Sequence, residues 1–272
     1  MAGTDVYNRT AAGPWGPVRQ RGAGKLGRVL SHLLDLLLPV DCGGCGVPGA
    51  VLCGDCEALL GAPIRVHPPS CPATPPVYAL GTYHGPLRAA VLAYKERGRR
   101  DLATPLGTAL ASALLHPHIA HPSPTWSHIG VEPATKSPIC LHVGKEIWMV
   151  PVPSTPAAAG RRGGQHVALL ARRAAAALAG AGVAAAVAPA LRMAAGVRDS
   201  VGLTASARRA NLAGRVLARR AGLPPAGTPV VLVDDVVTTG ATAAACTAAL
   251  VRTGIAVSAI VVLAAAGRHT AL

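Results

Sequence analysis

The chain has 272 residues, 51% hydrophobic and 14% charged, which gives ample material for a core and excludes disorder of the low-hydrophobicity, high-charge kind. Aromatic residues make up 3% and Phe is absent, so the core must be built from Ala, Val and Leu, and a nucleic-acid platform of stacked rings is disfavoured. A net charge of +14 favours polyanionic partners such as nucleic acid, phosphorylated metabolites or an anionic membrane surface, while no apolar stretch reaches the ~20 residues of a bilayer-spanning helix.

Residues 1–28 carry Arg and Gly with no hydrophobic run and cleavage site of secretory type, and read as a mobile basic tail on a cytoplasmic protein. Apolar residues then recur from Leu26 to Leu38 at the i, i+3, i+4 spacing of an amphipathic helix that Pro39 stops. The segment 29–76 combines this helix with a cysteine-rich, Pro- and Gly-punctuated module that has little core of its own. From Val77 the pattern predicts a strand, a turn at Gly85-Pro86, and helical segments to Leu115 broken at Gly98 beside the basic cluster Lys95, Arg97, Arg99 and Arg100. Residues 116–146 are rich in Pro, His and Ser without periodicity and predict a flexible surface loop, whose His residues are read as solvated.

Beyond this loop the chain alternates. Strands are predicted at Ile147 to Val152, Ala184 to Met193, Val230 to Val233 and Ala256 to Leu263, with helices at Val167 to Ala179, across 199–220, and at Ala241 to Thr253. Val/Ile/Leu runs interleaved with Ala-rich helices are the pattern of parallel βα units covered on both faces, so the expected fold class is α/β, with 77–272 as the main domain.

Four of the seven cysteines form Cys42-x2-Cys45-x7-Cys53-x2-Cys56. Each Cys-x2-Cys turn brings two thiolates to one ion, and two such turns close a tetrahedral sulfur shell suited to structural Zn²⁺. Cys71 lies near enough in sequence to substitute as a ligand, whereas Cys140 and Cys246 read as loop and core residues.

After residue 150 there are thirteen Arg, no Lys and three acids, two of them adjacent: Asp234 and Asp235 follow the apolar run Val230 to Val233. Thr238, Thr239, Gly240, Ala241 and Thr242 then form a small-residue loop that leads into a helix and can aim backbone N–H groups and hydroxyls at one phosphate. Carboxylates beside such a cradle suit a sugar and a Mg²⁺ shared with its hydroxyls, so a ribose 5-phosphate moiety satisfies both halves. Upstream, Pro151 and Pro153 stiffen a strand end, and Arg161 and Arg162 offer bidentate charge for phosphate oxygens.

The stretch Val230 to Thr242 resembles the phosphoribosyl pyrophosphate (PRPP) motif of type I phosphoribosyltransferases. The four-Cys knuckle, Tyr83-His-Gly-Pro-Leu-Arg88 with Lys95 and Gly98, Val150-Pro-Val-Pro153 with Arg161-Arg162-Gly163, and Gly202-Leu203 with Arg208-x2-Asn211 are similar, in order and spacing, to the ComF family. The resemblance covers residues 29 to 115 and 147 to 268. It implies a parallel-sheet type I phosphoribosyltransferase fold behind a four-cysteine zinc module, in proteins associated with DNA uptake in competent bacteria.

It further implies pentosyl transfer with Mg²⁺ to an acceptor that the sequence leaves open. Asp234 and Asp235 would contact the ribose hydroxyls, Thr238 to Thr242 would wrap the 5-phosphate, and Pro153, Arg161, Arg162 and Lys95 would meet the pyrophosphate side. Arg208 would act catalytically from a lid, making Asp234, Asp235 and Arg208 the catalytic set. Two departures stand out: Gly164 and Gln165 replace an aromatic and Asn, and Cys71 stands without a second Cys near it. The alternative is a non-catalytic accessory protein that binds single-stranded DNA through its Arg-rich surface.

Overall fold

The computed structural model describes residues 40–71, 75–120, 146–194, 214–228 and 230–267. The expected tail at 1–28, the helix expected from Leu26 to Leu38, Cys140, Arg208 of the expected lid and Asn211 lie outside them. The described residues from Asp41 onward belong to one compact unit.

Its centre is a six-stranded sheet in the order β1-β2-β8-β7-β3-β4, formed by β1 (Ile64–Val66), β2 (Val77–Thr82), β3 (Ile147–Pro151), β4 (Ala185–Val187), β7 (Val230–Val237) and β8 (Val257–Ala265). Strands β2, β8, β7, β3 and β4 run parallel; β1 pairs antiparallel at the edge, Arg65 opposite Tyr78. A separate hairpin pairs β5 (Leu191–Met193) with β6 (Val216–Ala218). The α/β class with a mostly parallel sheet is thus as the alternation requires.

A short helix, α1 (Gly54–Glu57), lies in the cysteine module, and both faces of the sheet are covered. Helices α2 (Gly85–Glu96), α3 (Ala103–Leu114) and α6 (His166–Gly180) bury Leu87, Val91, Leu106, Leu110, Leu170 and Leu178 against Val231, Val233, Val261 and Leu263 on one face. On the other, α7 (Ala241–Val251) and the hairpin bury Cys246, Leu250, Leu191 and Val216 against Val230, Leu232, Ile260 and Val262. The central strands are therefore largely apolar, β7 from Val230 to Val233 and β8 from Ala259 to Ala265.

Several predicted elements are corrected. The strand expected from Ala184 to Met193 is two strands in different sheets, because the Pro189 ring cannot continue a ladder. Gly85-Pro86 is not a free turn but the first turn of α2, where a Pro lacks an N–H that would go unused anyway. The loop expected at 116–146 begins with a helical turn, α4 (Pro117–Ala120), and residues 214–220 of the helix expected across 199–220 form β6 and a 3-10 start instead. Strand β7 runs past Val233 through both acids to Val237, because β8 pairs with it as far as Val237 opposite Ala265.

Candidate phosphate and sugar site at a switch in strand order

Strand β3 leads toward β4 on one side, whereas β7 leads toward β8 on the other, so the strand order reverses between the neighbours β3 and β7. In open parallel sheets the crevice outside the carboxyl ends of the strands at such a reversal is where ligands bind. Pairing of β3 with β7 ends at Pro151 opposite Val233, and Val152 N–H still donates to the Val233 carbonyl at 2.9 Å. The loop through Pro153 and the acids Asp234 and Asp235 thus leave the paired region side by side.

Because side chains alternate along a strand, the adjacent acids face opposite sides of the sheet. Asp235 is buried, 2% exposed, on the side of α2 and α6. Its Oδ2 accepts from Lys95 Nζ at 2.7 Å and from His166 Nε2 at 2.8 Å, while Oδ1 accepts from the Val236 N–H at 2.7 Å. Burial alone would raise its carboxyl, but the Lys95 ammonium and His166 outweigh it and hold Asp235 far below the usual carboxylate range. Lys95 in turn is held above its ordinary value: burial works against its charge, and the Asp235 and Asp234 carboxylates overcome it.

Asp234 is half-buried on the other side, toward α7. Its Oδ1 accepts the Asp235 N–H at 2.9 Å. Burial first, and the Asp235 charge second, push its carboxyl well above the ordinary value. The Cys246 thiol, buried in α7, is also raised, first by burial and then by the Asp234 charge.

Gly240, with φ +79°, turns the chain into α7. Only a residue without a Cβ fits there, since a methyl would stand 2.8 Å from Pro68 Cβ and 2.9 Å from Cys71 Cβ. Thr239 Oγ1 accepts the first helical N–H, that of Ala241, at 3.4 Å, and the Thr239 carbonyl accepts from the Ser70 N–H at 2.8 Å. Thr238 is exposed, Thr239 and Thr242 half-buried, Gly240 and Ala241 buried. Residues Pro68 to Cys71 therefore clamp one side of this loop, a neighbour the sequence does not reveal.

The loop after β3 is ordered by its own side chains. Thr155 Oγ1 accepts the Ala158 N–H at 3.2 Å and starts the short helix α5 (Pro156–Arg161), and the Ser154 N–H donates to Gln165 Oε1 at 2.9 Å. Arg161 is exposed at the end of α5. Arg162, expected to meet phosphate, donates bidentately to Glu96, Nε to Oε2 at 3.1 Å and Nη2 to Oε1 at 2.7 Å. Arg100 Nη2 donates to the carbonyls of Arg162 and Gly163 and ties the same turn to the helical layer. Without a ligand, Lys95 and Arg162 thus face carboxylates of the protein, Asp235 and Glu96.

Sequence reasoning missed His166. It directly follows Gln165, where the likeness of the Arg162-Gly163 turn to the family ends. In the structure it is 9% exposed, its carbonyl accepts the Tyr94 hydroxyl at 2.6 Å, and its Nδ1 lies 3.4 Å from Ser154 Oγ. The Tyr94 hydroxyl is pushed up to about 12, by burial first and the Asp235 charge second.

The four cysteines Cys42, Cys45, Cys53 and Cys56 bring their sulfur atoms within 4.8 Å of one another. The donor set fits Zn²⁺: four sulfurs at a separation that a tetrahedral shell with Zn–S of ~2.3 Å needs only to tighten. N–H groups of Gly44 at 3.4 Å and Cys53 at 3.3 Å donate to Cys42 Sγ, as expected of a thiolate. Burial raises the Cys42 thiol, but these and the Cys45 N–H outweigh it and bring it down to about 6. Among the described residues Cys71 is not part of this group; it packs on Gly240 instead, which removes it as a substitute ligand.

Among the described residues, no helix is long and apolar enough to cross a membrane. The chain matches no model of a known protein family, and no curated protein matches it.

Proposed function

We propose that this protein binds PRPP at the carboxyl ends of β3 and β7 and is a type I phosphoribosyltransferase of the ComF kind, with a structural Zn²⁺ in the four-cysteine module. The observation that carries this reading is the juxtaposition at the reversal of strand order. There the loop through Pro153 and the sequence Asp234-Asp235-Val-Val-Thr238-Thr239-Gly240-Ala241-Thr242 lie on neighbouring strands.

In this reading the acids divide their work. Asp234, half-buried and raised, accepts from the ribose hydroxyls, while Asp235 is a positioning residue whose oxygens are already taken by Lys95, His166 and the Val236 N–H. Thr238, Thr239 and Thr242 with the start of α7 take the 5-phosphate, and Arg161 lies on the pyrophosphate side. Mg²⁺ would arrive with the pyrophosphate, held on the protein through Asp234, and supply positive charge to the leaving group. The protein also fixes the sugar for attack at its anomeric carbon.

Calorimetry with PRPP and Mg²⁺ tests this. Saturable heat is expected, with affinity reduced about ten- to a hundredfold in Asp234→Ala, the loss of hydrogen bonds to a charged group. An absence of heat, or an affinity indifferent to Asp234→Ala, overturns the reading. DNA affinity that falls steeply with salt and ignores Asp234→Ala would support the DNA-binding alternative instead.

A further inference from the structure

A cavity of about 160 Å³ opens between the loop after β3 and the β5–β6 hairpin. Pro153, Pro156, Pro189 and Met193 give it an apolar wall. Arg192 and Arg219 also line it, and among the described residues that line it none is acidic.

The hairpin register puts both guanidinium groups on one face. Arg192 lies opposite Leu217, and Arg219 follows two residues later, its N–H donating to the Ala190 carbonyl at 2.7 Å. Among the described residues neither forms an ion pair, in contrast to Lys95, Arg99 and Arg162, each of which has a carboxylate partner. Two guanidinium groups with no carboxylate partner among the described residues, lining one cavity together with apolar side chains, suit an organic anion with a flat or aliphatic body, because each can take a carboxylate bidentately.

A third polar group lines the same cavity: Ser154. His166 Nε2 faces Asp235 Oδ2, an ionised carboxylate that can only accept, so the ring proton is assigned to Nε2. Nδ1 then accepts from Ser154 Oγ–H, 3.4 Å away, and leaves the Ser154 oxygen as an acceptor for a ligand N–H or O–H. Asp235, His166 and Ser154 form a chain from the buried carboxylate to the cavity wall, with base and orienter in the relation used for proton abstraction.

We infer that this cavity binds a small carboxylate that also carries an N–H or O–H, with the carboxylate on Arg192 and Arg219 and the donor on Ser154. Its role as the acceptor of the phosphoribosyl group rests on the function proposed above; the binding does not. As acceptor, its N–H or O–H proton passes to Ser154 Oγ while the Ser154 proton passes to His166 Nδ1. The freed electron pair bonds to the anomeric carbon, and pyrophosphate departs with the electrons of the broken C–O bond. The imidazolium left behind faces Asp235.

Three isosteric probes separate the contributions: pyrrole-2-carboxylate, furan-2-carboxylate, which lacks the N–H, and pyrrole-2-carboxamide, which lacks the charge. Ligand-observed NMR titration of the full chain is expected to show saturable binding of pyrrole-2-carboxylate. Binding should be about tenfold weaker or worse in Arg192→Gln and in Arg219→Gln, both exposed positions where folding is not at stake. The carboxamide should lose a similar factor, and the furan several-fold, a loss that Ser154→Ala removes. No saturable binding to the unmodified chain, or binding indifferent to both Arg variants, overturns the inference. PRPP calorimetry on the same samples separates the two readings. PRPP heat without carboxylate binding removes the cavity assignment alone; carboxylate binding without PRPP heat leaves the cavity assigned and removes its role as acceptor site.

Discussion

Asp234 and Asp235 are neighbours in sequence with opposite electrostatic fates. Asp235 is buried and ionised, so its removal strands Lys95, 27% exposed, and a buried His166. Asp235→Asn is expected to cost about 3 kcal/mol, the low end for breaking a buried pair because Lys95 keeps some access to water. Asp234 is raised, so at neutral pH its ionised form opposes folding. Asp234→Asn keeps the Oδ1 acceptor for the Asp235 N–H and should raise the Tm at pH 7 by a few degrees, ~1 kcal/mol for a domain of this size. The signs in pH follow. The depressed Asp235 contributes stability above its unfolded value of about 3.9 that is lost as pH falls further, toward its folded value. The raised Asp234 contributes stability below that value that is lost as pH rises through its folded one. Thermal melts of both variants across pH 3 to 8 check this, and equal destabilisation by both would contradict it. The acid pair was legible from composition, two of three acids in an Arg-rich half; their division was not, because it depends on Lys95 and His166, residues 140 and 69 positions away from Asp235.

At the level of elements, the strands that hold the site could be read because they are buried on both sides and carry no polar interruption until the site begins. Boundaries failed where a neighbour decides them: β7 outlasts its apolar run because β8 pairs with it, and Pro189 divides one apolar stretch between two sheets. Close packing of α3 on α6 is equally invisible in sequence. A Cβ at Gly107 would stand 2.5 Å from Arg173 Cβ and 3.0 Å from the Ala174 nitrogen, so these helices meet through a glycine. Ala is favoured over Gly within a helix by about 1 kcal/mol, but forcing two packed helices apart costs typically 1–3 kcal/mol. Gly107→Ala should therefore destabilise, by up to about 2 kcal/mol in urea titration, and a net gain would show that the two helices part without strain. His166 sits at the first residue of α6, so a shift of that helix would also move the ring that joins Asp235 to Ser154.

For the whole molecule, the cysteine module has almost no apolar interior of its own, and what it does bury it buries against the helical layer of the sheet. A Cβ at Gly43 would stand 2.6 Å from Leu102 Cδ1, and one at Gly44 2.7 Å from Cys56 Sγ and 3.1 Å from the Pro86 carbonyl. The module therefore rests on the start of α2, the helix that carries Lys95 to Asp235. If a metal fixes the four sulfurs, its binding energy is folding energy for the module and, through this contact, for the near end of α2. Purified protein is expected to hold one Zn²⁺ per chain by elemental analysis. Chelation should lower the Tm while leaving most far-UV helical signal in place, because α3, α6 and α7 pack on the sheet without the module. Hydrogen exchange should then speed up at residues 42–56 and 85–90 and remain slow in β7 and β8. Uniform loss of protection would mean that sheet and module fold as a single cooperative unit, and an unchanged Tm together with no bound zinc would remove the metal from the account of this fold.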